Sequence, residues 1–525
     1  MKKMKKIFAV ILSLAMILGM ATVAFAAPAP TTMPHDVVKV ENVAEGCTVK
    51  AYQIVKYDLK GEFIRVNDST PTDLEALDAD EITDIAASIA GGATTYGSPT
   101  PMSYANGIYQ ADLTAGMWIV LVSGTEDVNT IYNPMIVSVN VGSDGSGSAG
   151  TVSADGHFNE EDTLYAKSST PTVTKKVTDP AYELNDNVEF TVETDIPAYS
   201  ESYTEVQYKI TDQLIGGLVY NKDTVVKING TEYTNATTPI AYSENDTKMV
   251  IDIDSETVLA NPGGKVTVTY SAQLTEAAKE ALANNVNPTT NIVTLEYSND
   301  PYDADKTTTQ DDETHHYTFG IDASVLGNTG FLHHNFIKTA EGEIEEVPDG
   351  EPVKTPGEPL AGAEFEIVKK DADGNYVKIE GIENTLSDAQ GLTKFVGLDA
   401  NVTYYLHEVK APAGYSVVEK YVPVLITAEF EEDGTLKDGW KIEVGEGDEK
   451  VITGTYQWGT NVGEIIDMPA DPDKWENPYF FENTKLANLP STGGIGTTIF
   501  TIGGCAIMII AAGLFFASRR KSDAK

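Results

Sequence analysis

Apolar and polar residues alternate over many short segments of this 525-residue chain, and this alternation restricts the fold more than any other feature. Segments such as TVKAYQIVKYD, NVEFTVETDIP and KVTVTYSAQL place every second side chain on one face of an extended strand. Turn residues separate the segments at short intervals, which is typical of β-sandwiches. The two cysteines, Cys47 and Cys505, cannot form a disulfide framework within the middle of the chain, because Cys505 lies in a C-terminal apolar run. The pattern predicts an all-β chain of several sandwiches without disulfide bonds.

The chain is strongly acidic, with a formal net charge of −43. Eight of the 36 lysines and arginines but only one of the 79 acidic residues lie in the two ends, 1–26 and 493–525, so the middle is even more acidic than the whole chain. An acidic surface of this kind repels nucleic acid and acidic lipid, and we therefore exclude both as partners of the folded part. The length predicts about three domains.

The N-terminal segment 1–26 has the parts of a secretory signal peptide. A lysine-rich start, MKKMKK, precedes a long apolar stretch, and small residues follow it. These small residues predict cleavage between Ala26 and Ala27. An uncleaved anchor helix is the alternative, but the small residues and the prolines after them favour cleavage. The chain is therefore predicted to be exported.

The C-terminal residues combine a short motif, an apolar segment and a basic tail. Residues 495–517 are long enough to cross a bilayer as a transmembrane helix, and the basic residues of the tail, 518–525, would keep the end of the chain in the cytoplasm. The motif before them consists of Leu489, Pro490, Ser491, Thr492 and Gly493. A plain transmembrane anchor is the alternative that leaves this motif without a role.

Together, the motif at 489–493, the apolar segment and the basic tail resemble the sorting signals of Gram-positive surface proteins. The resemblance implies that a sortase cleaves between Thr492 and Gly493, holds the Thr492 acyl group as a thioester and transfers it to an amine. Proline bends the motif, and glycine gives an enzyme close access to the bond. The transmembrane segment would then anchor the chain only until sorting.

Between the two ends, the strand-like segments group into three blocks at 36–166, 168–317 and 318–485. Helical spacing interrupts the strands in TDLEALDADEITDIAASIA and in TEAAKEALANN. An acidic, threonine-rich segment, DADKTTTQDDETHH, is predicted to connect the second and third blocks. Its two histidines are interpreted as solvated connector residues, and the sequence predicts no metal site and no cofactor.

The second and third blocks, together with the tail, resemble the Cna-B-like domains of sortase-assembled pilus backbone subunits. The segments IPAYSESYTEVQYKITDQL, LEYSNDP, LAGAEFEIVKK, YYLHEVKAPAGYS and FENTKLANLPSTGG carry this resemblance in order along the chain. It implies tandem immunoglobulin-like or Cna-B-type β-sandwiches between the signal peptide and the sorting helix.

One lysine lies on an apolar face in the segment PTVTKKVTD. If this segment is a strand, Lys175 points to the same side as Val173 and Val177. Lysine is rarely buried without a partner, so one interpretation is that Lys175 extends to solvent from a sheet edge. The other is that Lys175 is buried and has a chemical role.

The resemblance implies this second interpretation, with a spontaneous amide bond between a lysine on the first strand and an asparagine on the last. Burial would lower the lysine pKa and leave a neutral nucleophile. A protonated carboxyl group between the two would polarise the asparagine carbonyl and transfer protons. In the second block these positions are Lys175, Asp212 and Asn291, with Asn299 as the alternative to Asn291. In the third block they are Lys338, Glu408 and Asn483, although an unusual insertion precedes Lys338.

A further lysine is the predicted acceptor of the Thr492 acyl group. Pilus backbone subunits present this lysine between their first and second domains, usually in a Tyr-Pro-Lys-Asn setting. Here Lys167 follows Tyr165, but alanine replaces the proline and serine replaces the asparagine. In some relatives that asparagine closes an isopeptide bond in the first domain, so none of that pattern is predicted here. The alternative is that Lys167 is an ordinary solvated linker lysine.

The sequence thus predicts a structural backbone subunit of a covalent pilus on the surface of a Gram-positive cell. Its predicted partners are a sortase, identical subunits in a head-to-tail polymer, accessory pilins and cell-wall peptidoglycan. It is predicted to be a sortase substrate and not a turnover enzyme. The alternatives are a monomeric adhesin anchored to the cell wall and a minor pilin.

Overall fold

The structure is a computed structural model. It describes residues 32–58, 62–66, 79–90, 92, 96–124, 128–141, 146–152, 158–160, 162–200, 203–235, 239–280, 286–300, 303–321, 325–326, 332–345, 353–458, 465–468, 478–486 and 496–522. The predicted signal peptide, with its Ala26–Ala27 bond, and the motif at 489–493 lie outside the described residues. Strands make up most of the described secondary structure, so the prediction of an all-β fold is confirmed.

The described residues of the first unit form two larger sheets, a two-stranded pair and one helix. Its elements are β1 (His35–Glu41), β2 (Thr48–Asp58), β3 (Glu62–Arg65), α1 (Ala79–Ala90), β4 (Thr100–Pro101), β5 (Ser103–Ala105), β6 (Ile108–Thr114), β7 (Gly116–Ser123), β8 (Ile131–Tyr132), β9 (Met135–Val141), β10 (Gly147–Val152), β11 (Phe158–Glu160), β12 (Thr163–Tyr165) and β13 (Ser168–Ser169). One sheet has the strand order β12-β1-β6-β5 and the other β11-β10-β9-β7-β2-β3, with β4 paired to β2. The two-stranded pair consists of β8 and β13.

Two hydrophobic clusters fill the first unit. One lies within the sheets and includes Cys47, whose burial raises the pKa of its thiol to about 11. In the other, Ile85 and Ile89 of α1 pack with Ile54 and Met117 of the larger sheet. The alternation of the strands and the helical spacing of α1 therefore direct their apolar faces into shared cores.

The second unit is a sandwich of two sheets. Its elements are β14 (Val173–Val177), β15 (Asn187–Asp195), β16 (Tyr208–Ile215), β17 (Leu218–Tyr220), β18 (Val225–Ile228), β19 (Thr231–Tyr233), β20 (Ala241–Tyr242), β21 (Lys248–Asp252), α2 (Ser255–Ala260), β22 (Lys265–Leu274), α3 (Ala277–Glu280), β23 (Val286–Ser298) and β24 (Thr307–Ile321). One sheet has the order β14-β15-β22-β18-β19, with β17 paired to β22. The other begins β20-β21-β16-β23-β24. Side chains from both inner faces form one large core.

The third unit combines a large antiparallel sheet with a short parallel pair. Its elements are β25 (Val325–Leu326), β26 (Leu332–His333), β27 (Phe336–Ala340), β28 (Glu343–Glu345), β29 (Val353–Thr355), β30 (Glu364–Lys370), β31 (Tyr376–Lys378), β32 (Thr385–Leu386), β33 (Phe395–Leu398), β34 (Thr403–Lys410), β35 (Tyr421–Phe430), β36 (Leu436–Val444), a 3₁₀ helix (Gly447–Glu449), β37 (Val451–Trp458), β38 (Ile465–Met468) and β39 (Tyr479–Asn483). The large sheet has the order β31-β30-β34-β35-β36-β37-β38, with β32 paired to β30. The parallel pair is β27 with β39.

Most of the segment predicted as an acidic connector, from Thr307 onward, belongs to the strand β24, and the connector prediction is wrong. β24 pairs with β23 from Ser298↔Thr307 to Val286↔Phe319. Its last residues pair with β33 of the third unit, so one sheet extends across both units. The strand therefore also crosses the boundary predicted between 317 and 318. Its alternation is hard to recognise because threonine and histidine, and not aliphatic residues, form the buried face of its first part.

Side chains reinforce this joint between the second and third units. The buried carboxylate of Glu183 lies 2.6 Å from the Lys369 ammonium, and it accepts a hydrogen bond of 3.0 Å from the hydroxyl of Tyr404. Nearby, the Leu184 amide donates to the Gly397 carbonyl at 3.0 Å. The two units are thus held together by backbone pairing and by a half-buried ion pair.

The predicted transmembrane segment, 495–517, is not confirmed. Within the described part of the chain, no helix is long and apolar enough to cross a membrane. The residues there form the helix α4 (Gly496–Ser522), and its described apolar side chains, such as Ile509 and Phe516, are exposed.

Candidate functional site

The parallel pair of strands in the third unit brings two of the predicted site residues side by side. Lys338 lies on β27 and Asn483 on β39, while Glu408 reaches them from β34 of the large sheet. Alternation directs Glu408 inward, on the same face of β34 as Tyr404 and Leu406. Lys338, Glu408 and Asn483 are all fully buried. The structure therefore assembles the complete set of residues predicted for this unit.

Direct contacts connect all three side chains. The Lys338 ammonium donates to Asn483 Oδ1, and it lies 3.3 Å from Glu408 Oε1. Asn483 Nδ2 donates to both carboxylate oxygens of Glu408, at 2.9 and 3.0 Å. The backbone amide of Val418 donates to Glu408 Oε2 at 2.8 Å and so helps to fix this carboxylate. The amine and the amide thus meet beside an acid, as amide formation requires.

Burial lowers the pKa of Lys338 to about 8, although the charges of Glu408 and Glu482 act in the opposite direction. An ordinary lysine has a pKa near 10.5 and is almost entirely protonated at neutral pH. A lysine with a pKa of about 8 has an appreciable neutral fraction, and only the neutral amine is a nucleophile.

Gly391 determines how closely the chain approaches Lys338. Its carbonyl accepts a hydrogen bond of 2.8 Å from the Lys338 amide, and its backbone is left-handed, with φ of +76°. A Cβ atom at this position would lie 2.3 Å from the Lys338 carbonyl oxygen. The strand β27 can be placed next to Asn483 only while residue 391 lacks a side chain.

We expect Gly391→Ala to destabilise the third unit and to slow its amide formation. Gly374→Ala is a matched control, because Gly374 also has a positive φ of +83° but no neighbour within 4 Å of its Cβ position. Thermal unfolding should show an extra loss of about 2 kcal/mol for Gly391→Ala relative to Gly374→Ala, because only the former adds a clash to the backbone strain. Equal effects of the two substitutions would contradict this role of Gly391.

In the second unit, Lys175 and Asp212 face each other across the sandwich. Lys175 lies on β14 at the edge of one sheet, and Asp212 lies on β16 of the other. Both side chains are fully buried, and the Lys175 ammonium contacts Asp212 Oδ2. The interpretation that Lys175 extends to solvent is therefore wrong. Asn291, on β23, is also fully buried.

Two tyrosines that the sequence analysis did not select complete this second cluster. The Tyr270 hydroxyl lies 2.6 Å from Lys175 Nζ, donates to Asp212 Oδ1 at 2.8 Å and accepts from Asn291 Nδ2 at 2.9 Å. Tyr220 donates to the same Asp212 oxygen at 2.5 Å. The carbonyl oxygen of Asn291 is buried and has no hydrogen-bond partner in the described part of the chain. The alternation of KVTVTYSAQL predicts that Tyr270 faces the core. This alternation is the one sequence signal for the position of Tyr270.

The surroundings of Lys175 also favour a neutral amine. Burial lowers its pKa, against the opposing charges of Asp212 and Asp312. His316, which was interpreted as a solvated connector residue, is buried in the same region, with its ring 5.0 Å from that of Phe190. Burial, together with the nearby Lys175, lowers the pKa of His316 well below its usual value. The solvated interpretation of His316 is therefore wrong.

The structure separates the two candidate asparagines of the second unit. Asn299 is buried elsewhere, where its Nδ2 donates to the Val128 carbonyl of the first unit at 2.9 Å. Asn291 belongs to the cluster around Tyr270. However, Asn291 does not lie on the last strand of the sandwich as expected, because β24 follows β23.

Lys167 lies between the first and second units, in a segment with a fixed backbone. β12 pairs with β1 just before it, and β13 pairs with β8 just after it. Its carbonyl oxygen accepts a hydrogen bond of 3.0 Å from the Asn133 amide, whereas the residue itself is exposed. Lys167 is therefore an exposed residue at a backbone position fixed by pairing on both sides. Among the described residues of the first unit, no lysine is buried.

Comparison with known protein families gives three matches along the chain. The T6 antigen Ig-like domain matches residues 35–168, and a prealbumin-like fold domain matches residues 353–440. The LPXTG cell wall anchor motif matches residues 482–523. The anchor match supports a location at the cell wall or cell surface of a Gram-positive bacterium.

One curated relative extends along almost the whole chain. It is the trypsin-resistant surface T6 protein of Streptococcus pyogenes serotype M6, with 24% identity over 92% of this chain and 95% of the relative. The solved structure of the T6 backbone pilin of the same serotype has a TM-score of 0.55 and 18% identity, and the match covers 87% of this chain and 100% of that one. This chain is therefore similar to the T6 protein in sequence and to the T6 backbone pilin in fold. The solved pilin is described as a modular three-domain structure, and its likeness shows the fold of this chain.

The full-length major pilin SpaD of Corynebacterium diphtheriae has a lower TM-score of 0.42, with 18% identity over 73% of this chain and 89% of that one.

Proposed function

We propose that this chain is the repeating backbone subunit of a covalent pilus, in which the Thr492 carbonyl of one subunit is joined to Lys167 of the next. The observation that carries the proposal is the similarity to the T6 protein over 92% of this chain, together with the LPXTG anchor match at residues 482–523. The exposed Lys167 between the first two units supplies an amine far along the chain from that anchor.

The joining step is an acyl transfer carried out by a sortase. The enzyme's cysteine would attack the Thr492 carbonyl, release the segment that begins with Gly493 and hold the remainder as a thioester. The neutral amine of Lys167 then attacks that thioester, forms an amide and releases the cysteine. Each subunit would supply one donor, Thr492, and one acceptor, Lys167, from distant positions of its sequence, so the contact repeats head to tail without closing and produces a fibre.

Within each subunit, two further amides would link Lys175 to Asn291 and Lys338 to Asn483. Each forms when the lysine nitrogen attacks the asparagine amide carbon and ammonia leaves. Each site reacts once, so the protein is a substrate and a structural component and not a turnover enzyme. Accessory pilins and cell-wall peptidoglycan are the further partners that we propose for the assembled pilus.

We expect Lys167→Ala to abolish polymer formation while leaving the subunit folded, because only the acceptor amine is removed. Immunoblots of cell-wall extracts on denaturing gels should show a high-mass ladder for the wild type and a monomer for this variant. Lys176→Ala is the matched control, because Lys176 is a nearby lysine whose side chain is 65% exposed, and this variant should keep the ladder.

The other outcomes of this experiment separate the alternatives. A ladder that persists in Lys167→Ala would retain the pilus but assign the acceptor to another lysine. A single wall-linked band in the wild type would overturn the backbone proposal and favour a monomeric wall-anchored adhesin.

A further inference from the structure

The two candidate amide sites differ in how the acid reaches the asparagine. In the third unit, the Glu408 carboxylate accepts directly from Asn483. In the second unit, the Tyr270 hydroxyl accepts from Asn291 and donates to Asp212, so the phenol lies between the amide and the acid. The same hydroxyl also lies 2.6 Å from the lysine nitrogen. One hydroxyl group therefore contacts all three predicted participants of the second site.

The hydrogen-bonding capacity of this hydroxyl is fully used. A phenol has one proton to donate and accepts through its oxygen. Tyr270 gives its proton to Asp212 Oδ1, and its oxygen accepts from the amine of Lys175 and from the amide of Asn291. Its oxygen therefore lies between the nitrogen that must lose a proton and the nitrogen that must gain one.

Tyr220 provides a contrast within the same site. Its hydroxyl donates to the same Asp212 oxygen, and none of the hydrogen bonds described for it reaches Lys175 or Asn291. Burial, with the nearby Asp212 charge, raises the pKa values of Tyr220 and Tyr270 well above those of ordinary tyrosines, so both remain protonated at neutral pH. The two phenols share the same acid, but only Tyr270 contacts the reacting nitrogens.

We propose that Tyr270 is a catalytic residue of amide formation in the second unit and transfers a proton from the lysine nitrogen to the departing asparagine nitrogen. This inference rests on the proposed Lys175–Asn291 bond. The ammonium of Lys175 first gives one proton to Asp212, and the neutral amine then attacks the amide carbon of Asn291. Once Asp212 is protonated, the Tyr270 hydroxyl can turn its proton away from that carboxyl group. Attack makes the amide carbon tetrahedral and frees the lone pair of the Asn291 nitrogen, which then takes the Tyr270 proton while the Tyr270 oxygen takes a second proton from the attacking nitrogen. The bond from the amide carbon to that nitrogen breaks, ammonia leaves, and the phenol is regenerated.

The test follows bond formation over time in the full chain. The chain is recovered unfolded from inclusion bodies and refolded, and samples are quenched in acid for intact-mass measurement and peptide mapping. Each bond appears as the loss of one ammonia. We expect Tyr270→Phe to slow the second-unit bond by about a hundredfold, within the range of general acid–base contributions. The third-unit bond in the same molecules should form at the wild-type rate, because its contacts do not involve Tyr270.

Tyr220→Phe is the matched control, since it also removes a phenol proton from Asp212 but no contact with a reacting nitrogen. We expect it to slow the second-unit bond less than tenfold. If the phenol only held the site in place, the rate of bond formation would not depend on the acidity of its hydroxyl group. A fluorinated tyrosine at position 270 tests this, because it changes that acidity while keeping nearly the same shape. The rate should change with the acidity of this phenol, and the wild type should show a solvent deuterium isotope effect that Tyr270→Phe lacks.

The outcomes distinguish this inference from the proposed function. A wild-type chain that never loses ammonia from its second unit would overturn the Lys175–Asn291 bond itself. A bond that forms at the wild-type rate in Tyr270→Phe would overturn the role of Tyr270 and retain the bond. If Tyr270→Phe fails to fold, an unchanged rate with the fluorinated tyrosine would also overturn it.

Discussion

Replacing Asn483 by alanine should prevent the third-unit bond. Relative to the mass calculated from its own sequence, the purified variant should lack one ammonia loss that the wild type shows. The replacement should also lower the free energy of unfolding of the third unit by about 5 kcal/mol. Lys338 and Asn483 are 145 positions apart. A covalent link across so long a loop restricts the unfolded chain, and the chain-entropy relation for disulfides gives about 5 kcal/mol for a loop of this length. The same relation applies to an amide because the argument concerns only the closed loop.

Intact mass and denaturant unfolding would measure the two effects on the same preparation. Asn375→Ala is a suitable control, because Asn375 is an exposed residue of the same unit whose side chain contacts the turn aspartate Asp371. That variant should keep the ammonia loss and unfold at nearly the wild-type denaturant concentration. A wild-type chain without the ammonia loss, or an Asn483→Ala chain as stable as the wild type, would contradict the prediction.

The chain with Asn483→Ala should also become more stable as the pH rises from about 8 to about 10.5. Its Lys338 remains a free amine, with a folded pKa of about 8 and an unfolded pKa near 10.5. Below pH 8 both states bind the proton, so stability does not depend on this group. Between the two values only the unfolded state binds it, and the free energy of unfolding then rises with pH by about 3 kcal/mol in total.

Unfolding by denaturant at a series of pH values would measure this dependence. The double variant with Lys338→Met and Asn483→Ala lacks the amine, and its profile subtracts the contribution of other lysines and tyrosines that titrate in the same range. The wild type should also lack the effect, because an amide nitrogen does not titrate. Parallel pH profiles for the Asn483→Ala chain and the double variant would show that Lys338 has an ordinary pKa in the folded state.

Alternation alone predicts much of the fold and part of the sites. Buried and more exposed residues alternate along β22 and along most of β14 and β34, and this rule places Lys175, Tyr270 and Glu408 in the cores. Side chains alternate in direction even where a residue is polar, because the pleat of the strand fixes the direction of each side chain whatever its chemistry. A charged residue on an apolar face is therefore visible in the sequence, and it was the strongest signal of these sites.

Contacts between distant strands could not be predicted in the same way. The role of Tyr270 depends on β22 lying opposite Asp212 and Asn291, which belong to the other sheet, and local spacing contains no information about facing sheets. Alternation predicts only that Tyr270 points inward, as core tyrosines commonly do. The resemblance supplied Asp212 and Asn291, but none of the segments that carry it includes KVTVTYSAQL, in which Tyr270 lies.

The strand β24 was missed for another reason. Its composition, rich in Thr, Asp and Glu, is typical of solvated connectors, and its buried positions include Thr308, Thr314 and His316. These polar residues are satisfied by specific partners, such as the hydrogen bond between Thr314 and His316. Hydrophobic patterning fails wherever hydrogen bonds replace apolar contacts on a buried face.

This same strand affects how a filament of such subunits would bend. The strand β24 is hydrogen-bonded to β23 in the second unit and to β33 in the third. Rotation at the junction between these two units would therefore require backbone hydrogen bonds to break. Rotation about a flexible linker meets no such barrier. Each subunit would then contribute a stiff segment at least two units long, and bending would be concentrated at junctions that lack such pairing. A filament built in this way would curve at regularly spaced hinges, and its persistence length would depend on those hinges and not on the sandwiches.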